Sequence, residues 1–309
     1  MSSKPKIDWN QRSDEERRTA ANRIFVPRGF TTDFLDAMQE LREGASEEAE
    51  AMCLVVVGER GVGKSAFLKH YAAQHPPVEI VEGNVLTRTR PVVYVSFPSS
   101  PTLKGAAEEF IRQLLGQEST RQRRTQLTSL IKEKLKELRV EIVIADEFQH
   151  VQEEGAKGKS DVADWLKDII KVTGVPFVLA GMPETVDIIE ADEQLHSLTE
   201  EPTVIAPYSW GDAPSRNAWK ALLAEIDQAL PFNERSDLAE KDTARNLFDC
   251  TQGYLRPLRA ILRIATARAI RNRADRLIWD DLAAGYHRLP KSPLVKGNPF
   301  DRNRLFNRD

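Results

Sequence analysis

Residues 54–65 have the types and the spacing of a loop that binds phosphate, and they read LVVVGERGVGKS. The part that begins at Gly58 fits the pattern G-x-x-x-x-G-K-[ST], in which glycines let the backbone wrap closely around phosphate. Lys64 is expected to reach the β- and γ-phosphates of a nucleotide, and Ser65 to ligate magnesium. The residues predicted to bind the nucleotide here are Gly58, Glu59, Arg60, Gly61, Val62, Gly63, Lys64, Ser65 and Ala66.

A pair of acids follows a second apolar run, about 80 residues further along the chain. Residues 140–145 read VEIVIA and lead directly into Asp146 and Glu147. Asp146 is expected to hold magnesium through water, and Glu147 to polarise the attacking water as general base. The predicted catalytic residues are therefore Glu147 and Lys64, and the predicted metal ligands are Ser65 and Asp146.

Alternating strands and helices are predicted to position these residues. Mainly apolar runs predict strands at residues 54–57, 92–97, 140–145 and 175–180, and stretches with apolar residues at helical spacing separate them. Such alternation predicts an α/β fold with a parallel sheet that helices cover on both faces. The nucleotide is then expected outside the carboxyl ends of the strands.

Composition excludes several classes of protein. The chain has 309 residues, a net charge of −3 and 41% hydrophobic residues, which is typical of a soluble globular protein. No apolar run approaches the roughly 18 residues of a membrane span, and residues 1–23 contain no secretion signal. Because there is no such run, no membrane partner is expected. Cys53 and Cys250 form no metal-binding pattern, so a reducing cytoplasm is expected. The net charge argues against wholesale nucleic-acid binding, although it permits a local basic surface.

The chain is predicted to have four parts. Residues 1–24 are interpreted as a flexible arm, in which Trp9 either packs on the domain or contacts a neighbouring subunit. Residues 25–207 are predicted to form the nucleotide-binding α/β domain, and residues 208–289 a helical lid. Residues 290–309 are polar and carry three prolines, so an extended or disordered tail is expected.

The whole pattern resembles the AAA+ ATPases, which are P-loop NTPases with a C-terminal helical lid. Within them, the chain looks like the TniB/TnsC transposition ATPases over roughly residues 24–300. The likeness is carried by the run DEFQH at residues 146–150, AGMPE at 180–184 and APYSW at 206–210. The nucleotide motifs are shared with all AAA+ proteins, and only the first and last of these runs favour the narrower family.

The resemblance implies a task. Members of the family bind ATP with Mg2+, assemble with themselves as rings or helical filaments around duplex DNA, and mark the target for a transposase. A target-selector protein of TniQ type directs their loading. The implied function is therefore a DNA-bound ATPase that links target-site selection to transposase recruitment in a prokaryotic cytoplasm, associated with the nucleoid.

Some family roles can be placed on this chain. Arg256, in the turn GYLR before a helix, matches the arginine that senses the γ-phosphate; alternatively it is a solvated helix start. Gln149 and His150 are interpreted as sensing the nucleotide or lining a subunit contact, and the histidine equally as a satisfied core residue.

Two departures from the family pattern stand out. Gly181 and Met182 occupy the place where AAA+ proteins often have a polar sensor, which leaves Thr185 as the nearest hydroxyl. Residues 196–200 read HSLTE where relatives tend to have Ser-Arg-Phe, so the arginine that would complete a neighbour's site is missing. Arg216 is a possible substitute, and fast hydrolysis is in doubt.

The resemblance places DNA contacts on the insert between the predicted second and third strands. The predicted DNA-binding residues are Lys104, Arg121, Arg123 and Arg124, with Lys157 and Lys159 as additions. Basic side chains there suit phosphate contacts that do not read sequence. The alternative interpretation of the cluster is a solvated helix face. The arginines of residues 259–276 are interpreted as lid surface or subunit contact.

Two other functions remain open. One is a different AAA+ DNA loader, of the replication-initiator or helicase-loader kind. The other is a nucleotide-gated scaffold that binds ATP and barely hydrolyses it, which the altered arginine position makes a serious alternative.

Overall fold

The computed structural model describes residues 7–27, 29–44, 52–82, 85–99, 102–116, 123–151, 161–289 and 297–300. The chain divides into two compact units. An α/β unit comprises residues 29–60 and 64–206, and a helical unit comprises residues 1–28, 61–63 and 207–309.

The described strands lie between residues 53 and 205, whereas the described helices extend from residue 14 to residue 287. The strands are β1 (Cys53–Gly58), β2 (Val78–Glu82), β3 (Val85–Thr89), β4 (Val92–Ser96), β5 (Ile142–Asp146), β6 (Phe177–Gly181) and β7 (Thr203–Ile205). The helices are α1 (Asp14–Asn22), α2 (Gly29–Gly44), α3 (Lys64–Gln74), α4 (Leu103–Leu115), α5 (Arg124–Glu137), α6 (Asp161–Thr173), α7 (Glu184–Glu190), α8 (Glu193–His196), α9 (Ala213–Ala229), α10 (Lys241–Thr251), α11 (Leu255–Arg271) and α12 (Trp279–His287). Two short 3-10 helices, Trp9–Gln11 and Phe148–Val151, complete the described elements.

The α/β unit is built on a parallel sheet with the strand order β4-β5-β6-β1-β7. Consecutive residues of β1 are all buried, so both faces of the sheet are covered, as in parallel sheets generally. The register pairs Val57 with Gly181 and Ser96 with Asp146. The carboxyl ends of the central strands therefore lie at one edge of the sheet, which confirms the predicted α/β class.

Amphipathic helices bury one face of the sheet. Alternate residues of the strands, such as Val55 and Val143, join one apolar cluster with residues of α4, α5 and α6. Within this cluster the ring of Phe110 meets Trp165 edge-on, with 6.1 Å between ring centroids. Thr102 caps α4 by accepting from the N–H of Gly105, and Gly116 ends that helix in a left-handed conformation.

The sequence prediction missed the antiparallel pair of β2 and β3. Its strands read VEIVE and VLTRT, which mix aliphatic with charged or hydroxyl residues, and Val78 and Val81 are exposed. A two-stranded ribbon with solvent on its surface lacks the continuous apolar run by which the buried strands were predicted. The three-residue β7 was missed because it is too short to show a pattern.

The helical unit has a core of its own. Trp219 of α9 is fully buried, and its indole N–H donates to the carbonyl of Ala244 at 2.9 Å. Its ring packs edge-on against Tyr208 and Phe248, with centroid distances of 5.4 and 5.9 Å. Apolar residues of α9 to α12 surround this centre, as expected for the lid helices.

The N-terminal segment differs from the predicted flexible arm. Residues 14–22 form α1, whose start carries a capping box between Ser13 and Glu16. Arg17 is only 5% exposed, and its guanidinium donates to the carbonyls of Pro231 and Ala274 at 3.1 and 3.3 Å. These long-range hydrogen bonds hold the helix in place, so this part of the predicted arm belongs to the helical unit.

Trp9 lies in the same unit. Its backbone N–H donates to Asn233 at 2.8 Å, and the Asn233 amide donates to Asp8 at 2.9 Å. This arrangement favours packing within the chain over the alternative of a subunit contact.

The predicted disordered tail is also corrected in part. Residues 290–296 and 301–309 lie outside the described residues. Between them, Phe300 is 1% exposed and meets Trp279 edge-on at 6.1 Å between centroids. Asn298 donates to the carbonyl of Ala283 at 3.2 Å. An aromatic side chain with a partner in the helical core fixes this short piece of the tail.

In the part of the chain that the structure describes, none of the helices has the length and apolar character needed to span a bilayer.

Candidate nucleotide site

The glycine loop joins β1 to α3. Gly58 ends the strand and Lys64 begins the helix, as the motif requires. Gly61 and Gly63 have φ angles of 92° and 109°, a region that residues with a side chain rarely adopt. The glycines of the motif are therefore required by the path of the backbone itself.

Lys64 is anchored on the loop that precedes it. Its side chain is 9% exposed, and the ammonium donates to the carbonyl of Gly58 and, at 3.1 Å, to that of Glu59. A buried ammonium needs such partners because desolvation without them is costly. The charge is thus fixed at the loop, at the position from which the motif predicts a contact with phosphate.

Asp146 is the buried member of the acid pair. It ends β5 and is 2% exposed. One carboxylate oxygen accepts from the backbone N–H of Glu147 at 2.9 Å, and the other accepts from the hydroxyl of Tyr94 on β4. Both oxygens therefore have donors, which is what a buried carboxylate requires.

Tyr94 is a site residue that the sequence analysis missed. Its hydroxyl donates to Asp146 and has Ser65 as a further neighbour, so it lies next to both predicted metal ligands. Burial, with the neighbouring Asp146 carboxylate, raises the pKa of Tyr94 well above its ordinary value, so the phenol keeps its proton. The signal in the sequence was a lone polar aromatic residue in the apolar run VVYVS.

These residues fit a magnesium ion. Hydroxyl and carboxylate oxygens are ligands that magnesium prefers, and it usually takes only one or two from the protein. Ser65 and Asp146 come from different motifs, yet both neighbour the hydroxyl of Tyr94, which donates to Asp146. The predicted ligands therefore lie in the same part of the α/β unit.

Glu147 is half-buried and lies on a strained piece of backbone. Its φ angle is 59°, in the left-handed region that is costly for a non-glycine residue. Its carboxylate accepts from the side-chain amide of Gln149 at 2.5 Å, and the same amide accepts from the N–H of Met182 at 3.0 Å. Gln149 thus connects the predicted general base to the residue that follows β6.

The end of β6 has no room for a side chain at residue 181. A β-carbon on Gly181 would lie 2.1 Å from the hydroxyl oxygen of Thr185 and 2.5 Å from the amide oxygen of Gln149. Thr185 is the hydroxyl closest to this point, as the sequence suggested. Its oxygen is buried without a hydrogen-bond partner among the described residues.

His150 has a local contact. Its ring nitrogen Nδ1 lies 3.2 Å from the carbonyl oxygen of Phe97, and its backbone N–H donates to the carbonyl of Glu147. This geometry favours the interpretation of His150 as a satisfied residue of the fold over a nucleotide sensor.

Arg256 lies beside the glycine loop in the helical unit, which includes residues 61–63. The backbone N–H groups of Leu255 and Arg256 both donate to the carbonyl of Gly61 at 3.0 Å. The side chain of Arg256 is exposed. The start of α11 is therefore tied to the loop by backbone bonds, while the sensor role of the guanidinium stays a prediction.

Arg216, the predicted substitute for the missing arginine, makes hydrogen bonds within its own chain. The Arg216 guanidinium donates to the carbonyls of Trp210 and Gly211 at 3.3 and 2.9 Å. In residues 196–200, Leu198 is buried and the N–H of Glu200 donates to the carbonyl of Cys53. Both segments have structural partners within the chain.

The predicted DNA-binding residues are only partly described. Lys104 is exposed in the first turn of α4, 3.5 Å from Glu108, and Arg123 is exposed at the start of α5. Arg121, Lys157 and Lys159 lie outside the described residues, as does the side chain of Arg124. About 17 Å of helix separates Lys104 from Leu115 at the end of α4.

Comparison with known proteins bears on the family and the fold. Residues 21–205, more than half of the 309, match the family model described as Bacterial TniB protein. A comparison with curated protein sequences finds no match.

Three solved structures illustrate the fold. The Aeropyrum pernix ORC2 protein, in ADPNP-ADP complexes, is 14% identical with a TM-score of 0.58, covering 88% of this chain and 71% of that one. CDC6P from Pyrobaculum aerophilum is 14% identical with a TM-score of 0.60 over 86% and 69%. The Aeropyrum pernix ORC1 protein, in complex with DNA, is 19% identical with a TM-score of 0.59 over 88% and 69%. Such likeness shows the fold alone, and it confirms the predicted AAA+ P-loop fold with a C-terminal helical region.

Proposed function

This chain belongs to the TniB family, and from that premise we propose that it is an AAA+ ATPase of DNA transposition. It binds ATP and magnesium, assembles with further copies of itself on duplex DNA, and links target-site selection to recruitment of a transposase. A target selector of TniQ type and the transposase are the proposed protein partners.

One observation carries the proposal. Lys64, Ser65, Asp146 and Glu147 come from two motifs that the sequence separates widely, yet Ser65 and Asp146 both neighbour the hydroxyl of Tyr94. Glu147 follows Asp146 directly. The arrangement supplies in one place a cation for phosphate, two oxygen ligands for a metal ion and a carboxylate base, which are the parts that phosphoryl transfer to water requires.

Each residue has a proposed role in hydrolysis. The backbone of residues 58–66 cradles the phosphates, and Lys64 contacts the terminal ones. Ser65 and Asp146 hold magnesium, which when bound neutralises charge on the phosphates. Glu147 takes a proton from the attacking water, and Arg256 contacts the γ-phosphate from the start of α11.

The proposed DNA contacts are to phosphates. Lys104, Arg121, Arg123 and Arg124 lie on the segment that follows β4, and the described members, Lys104 and Arg123, are exposed. Contacts of this kind position a protein on a duplex without reading its sequence. This suits a protein that takes its target from a separate selector.

The test combines nucleotide binding with assembly. Calorimetry with a non-hydrolysable ATP analogue and magnesium is expected to show binding to the parent and to Lys171→Ala, an exposed lysine of α6, but not to Lys64→Ala. Light scattering with duplex DNA is expected to rise only when the analogue is present. Absence of analogue binding would refute the ATPase, whereas binding without any assembly on DNA would remove the transposition role.

A second candidate is a nucleotide-gated scaffold that barely hydrolyses ATP. It is favoured by the engagement of Arg216 with Trp210 and Gly211, because that guanidinium is not available to a neighbour without breaking two hydrogen bonds. Steady-state ATP turnover of the DNA-bound assembly distinguishes the candidates. If the parent hydrolyses ATP no faster than the Glu147→Gln variant, the scaffold is favoured.

A further inference from the structure

Gln149 lies between the predicted general base and the end of the neighbouring strand. We propose that Gln149 is a positioning residue for Glu147, and that it ties this carboxylate to the end of β6 in place of a side chain on residue 181. The inference rests on the proposed ATPase function and names a residue that governs the rate of that same site.

The two hydrogen bonds of the amide fix its orientation. The backbone N–H of Met182 can only donate, so it requires the amide oxygen of Gln149, which lies 3.0 Å away. The Glu147 carboxylate can only accept when ionised, so it requires the amide nitrogen, which lies 2.5 Å away. Both partners demand the same orientation, and a flipped amide would lose both bonds.

Gly181 makes this arrangement possible. The place that its side chain would occupy is taken by the amide oxygen of Gln149 and the hydroxyl of Thr185, which lie 2.5 and 2.1 Å from where a β-carbon would stand. Any larger residue at 181 would have to displace both of them. The polar group at the end of β6 is therefore supplied by Gln149, from the segment that follows the acids, rather than by β6 itself.

Hydrogen bonds and buried side chains hold the backbone around Glu147. The position of its carboxylate therefore depends on the torsions of its side chain. Glu147 has its N–H bonded to Asp146 and its carbonyl bonded to the N–H of His150, both at 2.9 Å. Phe148 and Val151 anchor the 3-10 helix in the core with no exposed surface. Gln149 then restricts the remaining side-chain torsions of Glu147 through a charge-assisted hydrogen bond.

The consequence concerns turnover rather than binding. A general base contributes only when it meets the proton in the right geometry, and misplacement by about 1 Å can cost on the order of 100-fold in rate. The glycine loop and Lys64 hold the phosphates without Gln149. Loss of Gln149 is therefore expected to lower kcat and to leave nucleotide affinity unchanged.

The experiment compares three variants of the full chain. Gln149→Ala removes both hydrogen bonds. Gln149→Glu keeps the length and an acceptor for Met182 but places a second carboxylate against Glu147. Gln113→Ala is the matched control, because Gln113 also donates its amide to a glutamate, Glu109, at 2.8 Å on the surface of α4.

We expect kcat to fall roughly 10- to 100-fold in both Gln149 variants, with affinity for a non-hydrolysable ATP analogue within about two-fold of the parent. Gln113→Ala is expected to match the parent in both measurements. Gly181→Ala, which forces the Gln149 amide aside, should lower kcat in the same way, and this provides a variant that leaves Gln149 itself intact.

Three results would overturn the inference. The first is a parent-like kcat for Gln149→Ala, and the second is a parent-like kcat for Gln149→Glu, since a merely structural anchor on Met182 would survive that change. The third is an equal loss of kcat and of analogue affinity. A parent that shows no ATP turnover would refute the proposed hydrolysis itself, whereas a parent that turns over ATP with an unaffected Gln149→Ala refutes only the role of Gln149.

Discussion

The two units bury carboxylates with different partners. In the helical unit, Asp227 accepts from the backbone N–H groups of Ser236 and Leu238, and Asp281 accepts from that of Ile278. In the α/β unit, the buried Asp146 accepts from the backbone N–H of Glu147 and from the side chain of Tyr94, and the half-buried Glu147 accepts from the side chain of Gln149. Backbone donors are fixed by the fold, whereas the side chains of Tyr94 and Gln149 can rotate, so the acids at the strand end can exchange these partners for a ligand.

The α/β unit also contains an acid of the first kind. Asp192 caps α8 by accepting from the backbone of Gln194 and Leu195, and it pairs with the buried Lys167. The contrast is therefore between kinds of partner rather than between units. It teaches that burial alone does not mark a functional carboxylate.

The largest expected effect is on catalysis. Glu147→Gln should lower kcat by about 10² to 10⁴, because an amide cannot accept the proton of the attacking water. Steady-state ATP hydrolysis with duplex DNA measures it. Glu133→Gln, an exposed residue of α5, is the control and should keep the parent rate. An unchanged rate in Glu147→Gln would show that this carboxylate is not the base.

The next largest effect is on stability. Asp227→Ala should destabilise the helical unit by about 2–4 kcal/mol, because it leaves two buried backbone N–H groups without an acceptor. Urea unfolding measures this, with the exposed Asp242→Ala as control. A change below that of the control would contradict the structural role of Asp227.

The alkylation rates of the two cysteines show which unit Asp227→Ala destabilises. Burial raises the pKa of Cys53 in the α/β unit and of Cys250 in the helical unit to about 12, so near neutral pH both stay as unreactive thiols. Alkylation of Cys250 should therefore accelerate in Asp227→Ala, with Cys53 as internal reference. An unchanged rate at Cys250 would place the damage elsewhere.

A smaller effect, on the salt dependence of DNA affinity, tests which of the two units contacts DNA. The triple change of Arg121, Arg123 and Arg124 to Ala should reduce the slope of log affinity against log salt by about 2–3, since each phosphate contact contributes close to one. Changing Arg263, Arg271 and Arg273 of the helical unit removes the same charge and should leave the slope unchanged. The reverse outcome would move the DNA surface to the helical unit.

The smallest effect is on pH dependence. Burial is the main reason that the pKa of Asp281 is raised, so the ionised form is less stable in the fold than in the unfolded chain. The stability that this group contributes is present at low pH and is lost as pH rises through its folded pKa. Asp281→Asn should therefore gain stability relative to the parent between about pH 4 and 7. Urea midpoints across that range that show no such trend would contradict it.

The sequence alone predicted the site residues whose motifs also define the strand or helix on which they lie. Lys64 and Ser65 begin the helix after the glycine loop of β1, and Asp146 and Glu147 stand at the end of β5, so their motifs also predicted the elements that carry them. The parallel sheet followed from the same apolar runs, since a strand buried on both faces has to be continuous in its hydrophobicity. Most helices of both units followed from helical spacing, whereas α1, α7 and α8 were not predicted.

Only the tertiary structure decided which distant residues complete the site and the core. Tyr94 reaches Asp146 across 52 positions, Gln149 reaches Met182 across 33, and Arg17 reaches Pro231 across 214. No local pattern encodes these hydrogen bonds, because they form only after strand order and helix packing bring the partners together. The sequence thus determined the chemistry at the strand ends, and the fold determined which side chains hold it in place.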